Sequence, residues 1–236
     1  MQLAKRAPPH RLAGMDTAVA VPSINRPWRR ATGWLIALAA FFYLSYGVSN
    51  WLASQRGDVP AIVFAWEHGI PFLAWTIIPY LGTHVLFALS FYVCRNRVEL
   101  DSHAKRLLTA QVIAVVCFIV FPLRVSFARP QTTAEFGLLF DALGILDMPF
   151  NQAPSLHIAT TIILFDLYSR TLPRWTLPVT ILCALLVGAS VLTTYQHHFI
   201  DIPTGVLLGL LSVWIWPPEG GNRLVSALRV PSRFSK

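Results

Sequence analysis

Six stretches of this chain, about 33–54, 72–94, 107–128, 154–173, 174–195 and 199–216, are long, apolar and almost free of charge. A helix that crosses a hydrocarbon core needs roughly 20 predominantly apolar residues, at about 1.5 Å of rise each. In lipid every backbone N–H and C=O must be satisfied within the segment, so runs of this length read as helices. The sequence therefore predicts an all-α, polytopic membrane protein, a bundle of six transmembrane helices. Hydrophobic residues make up 55% of the chain and charged residues 13%, against about a half and a quarter in soluble domains. The 236 residues divide into a flexible basic leader at 1–30, a membrane domain at 31–216 and a basic tail at 217–236. The first run is too long for a signal-peptide core and is followed by no convincing cleavage site, so it is read as retained.

The net charge of +8 invites a nucleic-acid reading, which its distribution removes. With six spans and an inner N-terminus, every Lys and Arg falls on the inner side except Arg56, Arg124 and Arg129. That asymmetry follows the positive-inside rule, so basicity reports topology and implies no nucleic-acid partner. Both termini are expected in the cytoplasm of a bacterial inner-membrane protein. Cys94, Cys117 and Cys183 lie in or beside apolar runs without paired spacing and read as core residues. Residues 129–153, rich in Leu and Phe but broken by Glu135, Asp141, Asp147 and Pro149, suit an interfacial helix over the active site. Gly205 and Gly209 form a small-xxx-small pair, for close contact within the bundle or a dimer seam; the expectation is a monomer or weak homodimer.

The fourth run is short. Between His157 and Arg170 lie twelve residues, Asp166 among them, and they cover about 18 Å of a ~30 Å core. The helix must therefore take in residues 154–157, which brings Pro154, Ser155 and His157 to its start near the outer interface. A helix start presents unpaired N–H groups and the positive end of the dipole, and so favours anions. Pro154 suits the first turn, Ser155 a cap or a hydrogen bond to an oxyanion, and His157 proton transfer near neutral pH. Asp166 and Arg170, four apart, read as a helical ion pair near the inner surface.

On this topology three polar clusters fall on the outer side: Arg124 with Arg129-Pro130, His157, and His197-His198-Phe-Ile-Asp201. Singly, each has an ordinary explanation, such as a snorkelling arginine or a capping histidine. At one membrane depth they suit phosphoryl transfer, since ionisable groups near hydrocarbon are costly and usually functional. Arg124, Arg129 and the Ser155 helix start supply donors for phosphate oxygens. His197 is the candidate nucleophile, oriented by Asp201, and His157 the candidate acid and base. His198, pointing elsewhere than His197, takes a supporting part in substrate binding or lies at the interface. A zinc site built from His157, His197, His198 and Asp201 is the metal alternative; the expectation is no metal and no cofactor.

Arg129-Pro130, Pro154-Ser155-Leu156-His157, and Ser190 through His197 to Asp201 resemble the three signatures of the type 2 phosphatidic acid phosphatase superfamily, over about residues 70–216. The resemblance implies a six-helix membrane phosphatase working without metal through a phosphohistidine on His197. Asp201 would orient that ring, His157 would serve as acid and base, and Arg129 and Ser155 would hold phosphate. Three positions depart from the family pattern: Pro122 stands where it has lysine, Leu156 where it has glycine, and Val191 where it has arginine. The Pro-Ser-Leu-His form and the His-His pair are similar to a branch that includes inositol phosphorylceramide synthases. The expected function is thus hydrolysis of a phosphatidate-, phosphatidylglycerophosphate- or polyprenyl-pyrophosphate-like lipid at the periplasmic face. The alternatives are transfer of a phospho-head group to an alcohol, or non-catalytic binding or transport of anionic lipid. Trp66-Glu67 and the 136–146 stretch are placed to line lateral access for a lipid tail.

Overall fold

The computed structural model describes residues 27–146 and 149–218; the basic tail from 219 on, all but the last four residues of the leader, and Asp147 lie outside them. Among the described residues there are seven α-helices and no strand, only an isolated bridge between Leu123 and Asn151. They are α1 (Trp28–Ser54), α2 (Ile77–Val93), α3 (Arg97–Val120), α4 (Ala134–Leu146), α5 (Leu156–Thr171), α6 (Leu177–Thr193) and α7 (Asp201–Ile215). Short 3-10 turns at Ala74–Thr76 and Arg174–Thr176 lead into α2 and α6. The chain is an all-helical membrane protein. By length and composition, four segments can cross a membrane: Trp28–Ser54, Ala74–Val93, Arg97–Val120 and Arg174–Thr193. The other two predicted spans, α5 with 16 residues and α7 with 15, are shorter.

The third helix begins ten residues, and ends eight residues, before its expected range of about 107–128. Asn96 caps it by accepting the Glu99 N–H at 2.8 Å, and Glu99 reaches back to the Arg95 N–H at 2.7 Å. This reciprocal pair starts the helix within what composition marks as a polar loop. Pro122 ends it, because the residue before a proline is driven from helical geometry; Phe121 leaves at φ −129°, ψ 65°. Arg124 therefore sits on an extended loop and not near the end of a helix.

Six helices alternate in direction, and the shorter α4 packs on α2 through Phe140 and Leu143. At one end of the bundle Arg30 grips Asp101 with bonds of 2.6 and 2.8 Å, and Arg106 donates to the Trp216 carbonyl at 2.7 Å. At the same end the Asp166–Arg170 pair forms at 2.9 Å, and Arg106 of α3 joins it at 2.7 Å with its side chain 1% exposed. At the other end Asn151 donates to the Tyr46 carbonyl at 2.9 Å, and the Leu73 N–H to Thr193 at 2.8 Å.

The most extensive helix contact is between α5 and α7, and Gly205 and Gly209 make it. A methyl on Gly205 would meet the Ser155 carbonyl oxygen at 2.7 Å and Ile158 Cβ at 2.8 Å. At Gly209 it would meet Ile162 Cβ at 2.7 Å and the Ala159 oxygen at 2.8 Å. The pair therefore serves contact within the bundle, not a seam between copies. It also sets the start of α5 directly against the start of α7, where the Ser155 N–H donates to the Asp201 carbonyl at 3.2 Å.

Candidate functional site

The start of α5 is built two residues later than the sequence suggests. Ser155 is the N-cap, accepting the Ile158 N–H at 3.4 Å, and Pro154 precedes the helix after a cis peptide bond. His157 is then the second helical residue, and its ring leaves the helix towards α2. There it stacks on Tyr80, with ring centroids 4.0 Å apart and 25° between planes, and meets the edge of His84 at 5.5 Å.

The partner histidine arrives through the turn between α6 and α7. Tyr195 takes the left-handed conformation at φ 57°, a place usually left to glycine after a helix end. Its hydroxyl donates to the Ile70 carbonyl at 2.8 Å, which fixes the turn. His197 follows, 4% exposed, with its backbone N–H on the Val191 carbonyl at 3.0 Å. Val191, where the family pattern has arginine, is fully buried in an apolar cluster with Tyr80, Phe140 and Ile158.

Asp201, with no exposed surface, accepts the His197 Nδ1–H at 3.0 Å through Oδ2. The same oxygen accepts the His198 backbone N–H at 3.0 Å. With its amide nitrogen turned to the carboxylate, Gln152 adds a third donor at 3.0 Å and also donates to the Gln196 carbonyl at 3.2 Å. A carboxylate on Nδ1 fixes the tautomer and leaves Nε2 with its lone pair. That nitrogen lies 3.4 Å from Ser155 Oγ. The rings of His197 and His157 stand edge to face, with centroids 6.0 Å apart at 64°.

The remaining sequence candidates are placed differently. Arg124 donates through Nε to the Val59 carbonyl at 2.9 Å, and Arg129 pairs with Asp141 of α4 at 2.9 Å while lying over the Phe140 ring. Neither is drawn onto the two histidines. His198 is 1% exposed and has both ring nitrogens engaged by the protein: Nδ1 faces Glu67 at 3.3 Å and Nε2 accepts the Ser126 N–H at 3.0 Å. Its ring is thus held between Glu67 and Ser126, away from the space between His157 and His197. It is also turned away from a shared metal with His157, His197 and Asp201; among the described residues no three His, Cys, Asp or Glu side chains are grouped to hold an ion.

A cavity of about 420 Å³ opens onto the histidines. Leu35 and Phe42 of α1, Leu81 and Phe87 of α2, and Leu139 and Leu143 of α4 supply apolar lining, while His84, His157 and His197 are among its polar groups. Its size is within the ~300–1,000 Å³ of small-molecule sites. The 136–146 stretch contributes through Leu139 and Leu143, whereas Phe140 packs into the core. Of the Trp66-Glu67 pair, Trp66 is exposed and Glu67 is 1% exposed, so Glu67 lines no access route.

His84, Tyr80, Gln152 and Glu67 are absent from the sequence-based site. Their parts depend on contacts between segments distant in sequence, and no local spacing marks them. Histidine scarcity was the one usable signal, and it singles out His84 inside an otherwise apolar run.

Residues 103–219 match the family model described as the PAP2 superfamily. No curated protein matches the chain.

Proposed function

The chain belongs to the PAP2 superfamily, and from that premise we propose that it is an integral-membrane phosphatase acting on a phosphorylated lipid through a phosphohistidine on His197. The observation that carries the proposal is the union of two things in one cavity: a largely apolar chamber of about 420 Å³ and, in its lining, two imidazoles 6.0 Å apart, one backed by a buried carboxylate. A soluble phosphate ester needs no such chamber; a hydrocarbon chain does.

His197 Nε2 attacks phosphorus, forming an N–P bond as the bond to the lipid oxygen breaks. His157 gives its proton to that oxygen and then takes one from water. The activated water attacks phosphorus, breaks the N–P bond and releases inorganic phosphate. Asp201 stabilises the imidazolium character that His197 gains. The Ser155 hydroxyl and the first N–H groups of α5 hold phosphate oxygens. Arg129 exchanges Asp141 for the phosphate, and Arg124 reinforces the positive potential left weak by Pro122 and Val191. The substrate class is a phosphatidate-, phosphatidylglycerophosphate- or polyprenyl-pyrophosphate-like lipid.

The proposal includes a six-span topology in a bacterial inner membrane, with α5 and α7 completing the crossings. The Arg106–Asp166 end faces the cytoplasm, as do both termini, and the histidine end faces the periplasm. The test is phosphate release by the purified full chain over a panel of lipid phosphates, with and without EDTA. Release that survives chelation, is abolished by His197→Ala and leaves phosphoenzyme on His157→Ala is the expected outcome. A fully active His197→Ala protein overturns the mechanism, and a new phosphodiester lipid in place of free phosphate assigns a transferase.

A further inference from the structure

Glu67 and His198 are both 1% exposed, and no part of the proposed reaction uses their side chains. Burying a carboxylate without a cation is costly unless its oxygens are hydrogen-bonded. Here they are: Oε1 accepts the Phe64 N–H at 2.8 Å, and Oε2 accepts the Phe199 N–H at 2.8 Å and faces His198 Nδ1 at 3.3 Å. On the far side of the ring, His198 Nε2 accepts from the backbone N–H of Ser126 at 3.0 Å. A backbone N–H can only donate, so Nε2 carries the lone pair and Nδ1 carries the proton that Glu67 receives. Phe127 closes over the same ring, with centroids 4.8 Å apart.

Three separate segments meet on this one imidazole. They are the connection after α1, through Glu67; the catalytic turn, through His198 itself; and the loop after α3, through Ser126. Ser126 lies between Arg124 and Arg129 on a stretch that is also tied by the Arg124 N–H to Pro60 and the Val125 N–H to Pro149, both at 2.9 Å, and by Arg124 Nε to the Val59 carbonyl. We propose that Glu67 and His198 are positioning residues, a buried carboxylate–imidazole pair that holds the arginine-bearing loop against the catalytic turn and so sets where phosphate is bound. The last step rests on the phosphatase reading; the clamp itself does not. The backbone N–H of His198, not its ring, serves Asp201, so loss of the ring leaves the His197–Asp201 pair in place.

The experiment uses the full chain in detergent and two readouts. Amide hydrogen exchange at Ser126 reports the clamp without any catalysis. In His198→Ala exchange should quicken about tenfold, the effect of one buried hydrogen bond. His198→Gln, whose Oε1 can take the place of Nε2, should restore the slow rate. Glu67→Gln, of equal size, provides a second variant and should quicken exchange in the same direction. With p-nitrophenyl phosphate, KM should rise about tenfold in His198→Ala while kcat stays within about threefold, the mark of lost binding and not lost chemistry, and His198→Gln should recover most of the KM. Unchanged Ser126 exchange in both His198→Ala and Glu67→Gln overturns the clamp, as does equal behaviour of the Ala and Gln variants at 198. A wild-type chain that releases no phosphate but shows the exchange pattern sinks the phosphatase reading and leaves the clamp standing.

Discussion

Replacing Gly205 by alanine tests whether the crossing of α5 and α7 is what assembles the site. The added methyl meets the Ser155 oxygen at 2.7 Å and Ile158 Cβ at 2.8 Å, where ordinary contact begins at 3.4 Å, so the helices must part by about 0.7 Å. Backbone oxygen and a β-branched stem cannot swing aside, so the strain has no cheap outlet. Overpacking of this kind costs about 1–3 kcal/mol, which at roughly 2–4 °C per kcal/mol lowers the thermal midpoint by several degrees. The displacement falls on Ser155 itself, and an error near 1 Å at a reacting centre costs on the order of 10²-fold in rate. Turnover should therefore drop about 10- to 100-fold. Gly209→Ala meets equally close atoms, Ile162 Cβ at 2.7 Å and the Ala159 oxygen at 2.8 Å, but about 6 Å further along the helix. It should lose similar stability and less activity. Gly188→Ala, with nothing within 4 Å of the new carbon, is the control and should be neutral or slightly stabilising. Thermal melts in detergent and phosphate-release rates on the three variants decide the matter. A Gly205→Ala protein with wild-type midpoint and turnover refutes the contact, and equal activity losses at 205 and 209 refute its link to catalysis.

Leu139→Trp should fill the cavity and exclude at least two methylenes of a lipid chain, at about 0.8 kcal/mol each, so turnover of long-chain substrates should fall about tenfold with p-nitrophenyl phosphate unaffected; equal losses on both would remove the chamber from substrate binding. Asp166→Ala strands the Arg106 guanidinium, whose side chain is 1% exposed, and should cost about 3–5 kcal/mol in a denaturation experiment. The double change Arg106→Met with Asp166→Leu should recover much of that loss, and an unshifted single mutant would show that the pair is not buried.

Much of the architecture can be read from the apolar runs, because burial in lipid demands long uninterrupted hydrophobicity that little else produces. The limits of α1, α2, α6 and α7 lie within a few residues of those runs. The start of α3 is hidden because residues 97–106 place charge on the first turns of a helix, although Asn96 and Glu99 carry the capping pattern that marks it. Its end is legible in Pro122, a stronger local signal than the apolar residues that continue past it. The His197–Asp201 pair is legible since the two lie four residues apart, and the turn that leads into α7 closes their contact at 3.0 Å locally. The stacking of Tyr80 on His157 and the meeting of Glu67 with His198 span 77 and 131 positions of sequence. Such pairs come from the packing of helices and of the connections between them, which spacing in a single chain does not encode.

Under the six-span reading, the two helices whose starts flank the paired histidines are the two least able to match a bilayer. At about 1.5 Å per residue α5 and α7 measure roughly 24 and 22 Å, and α1 roughly 40 Å. The lipid around the short pair must dimple inward or let water reach below its glycerol plane. Leaflet thickness then becomes a control on turnover: in reconstituted vesicles, longer acyl chains should bury the histidines further from the phosphates they serve, and shorter chains should bring the two level.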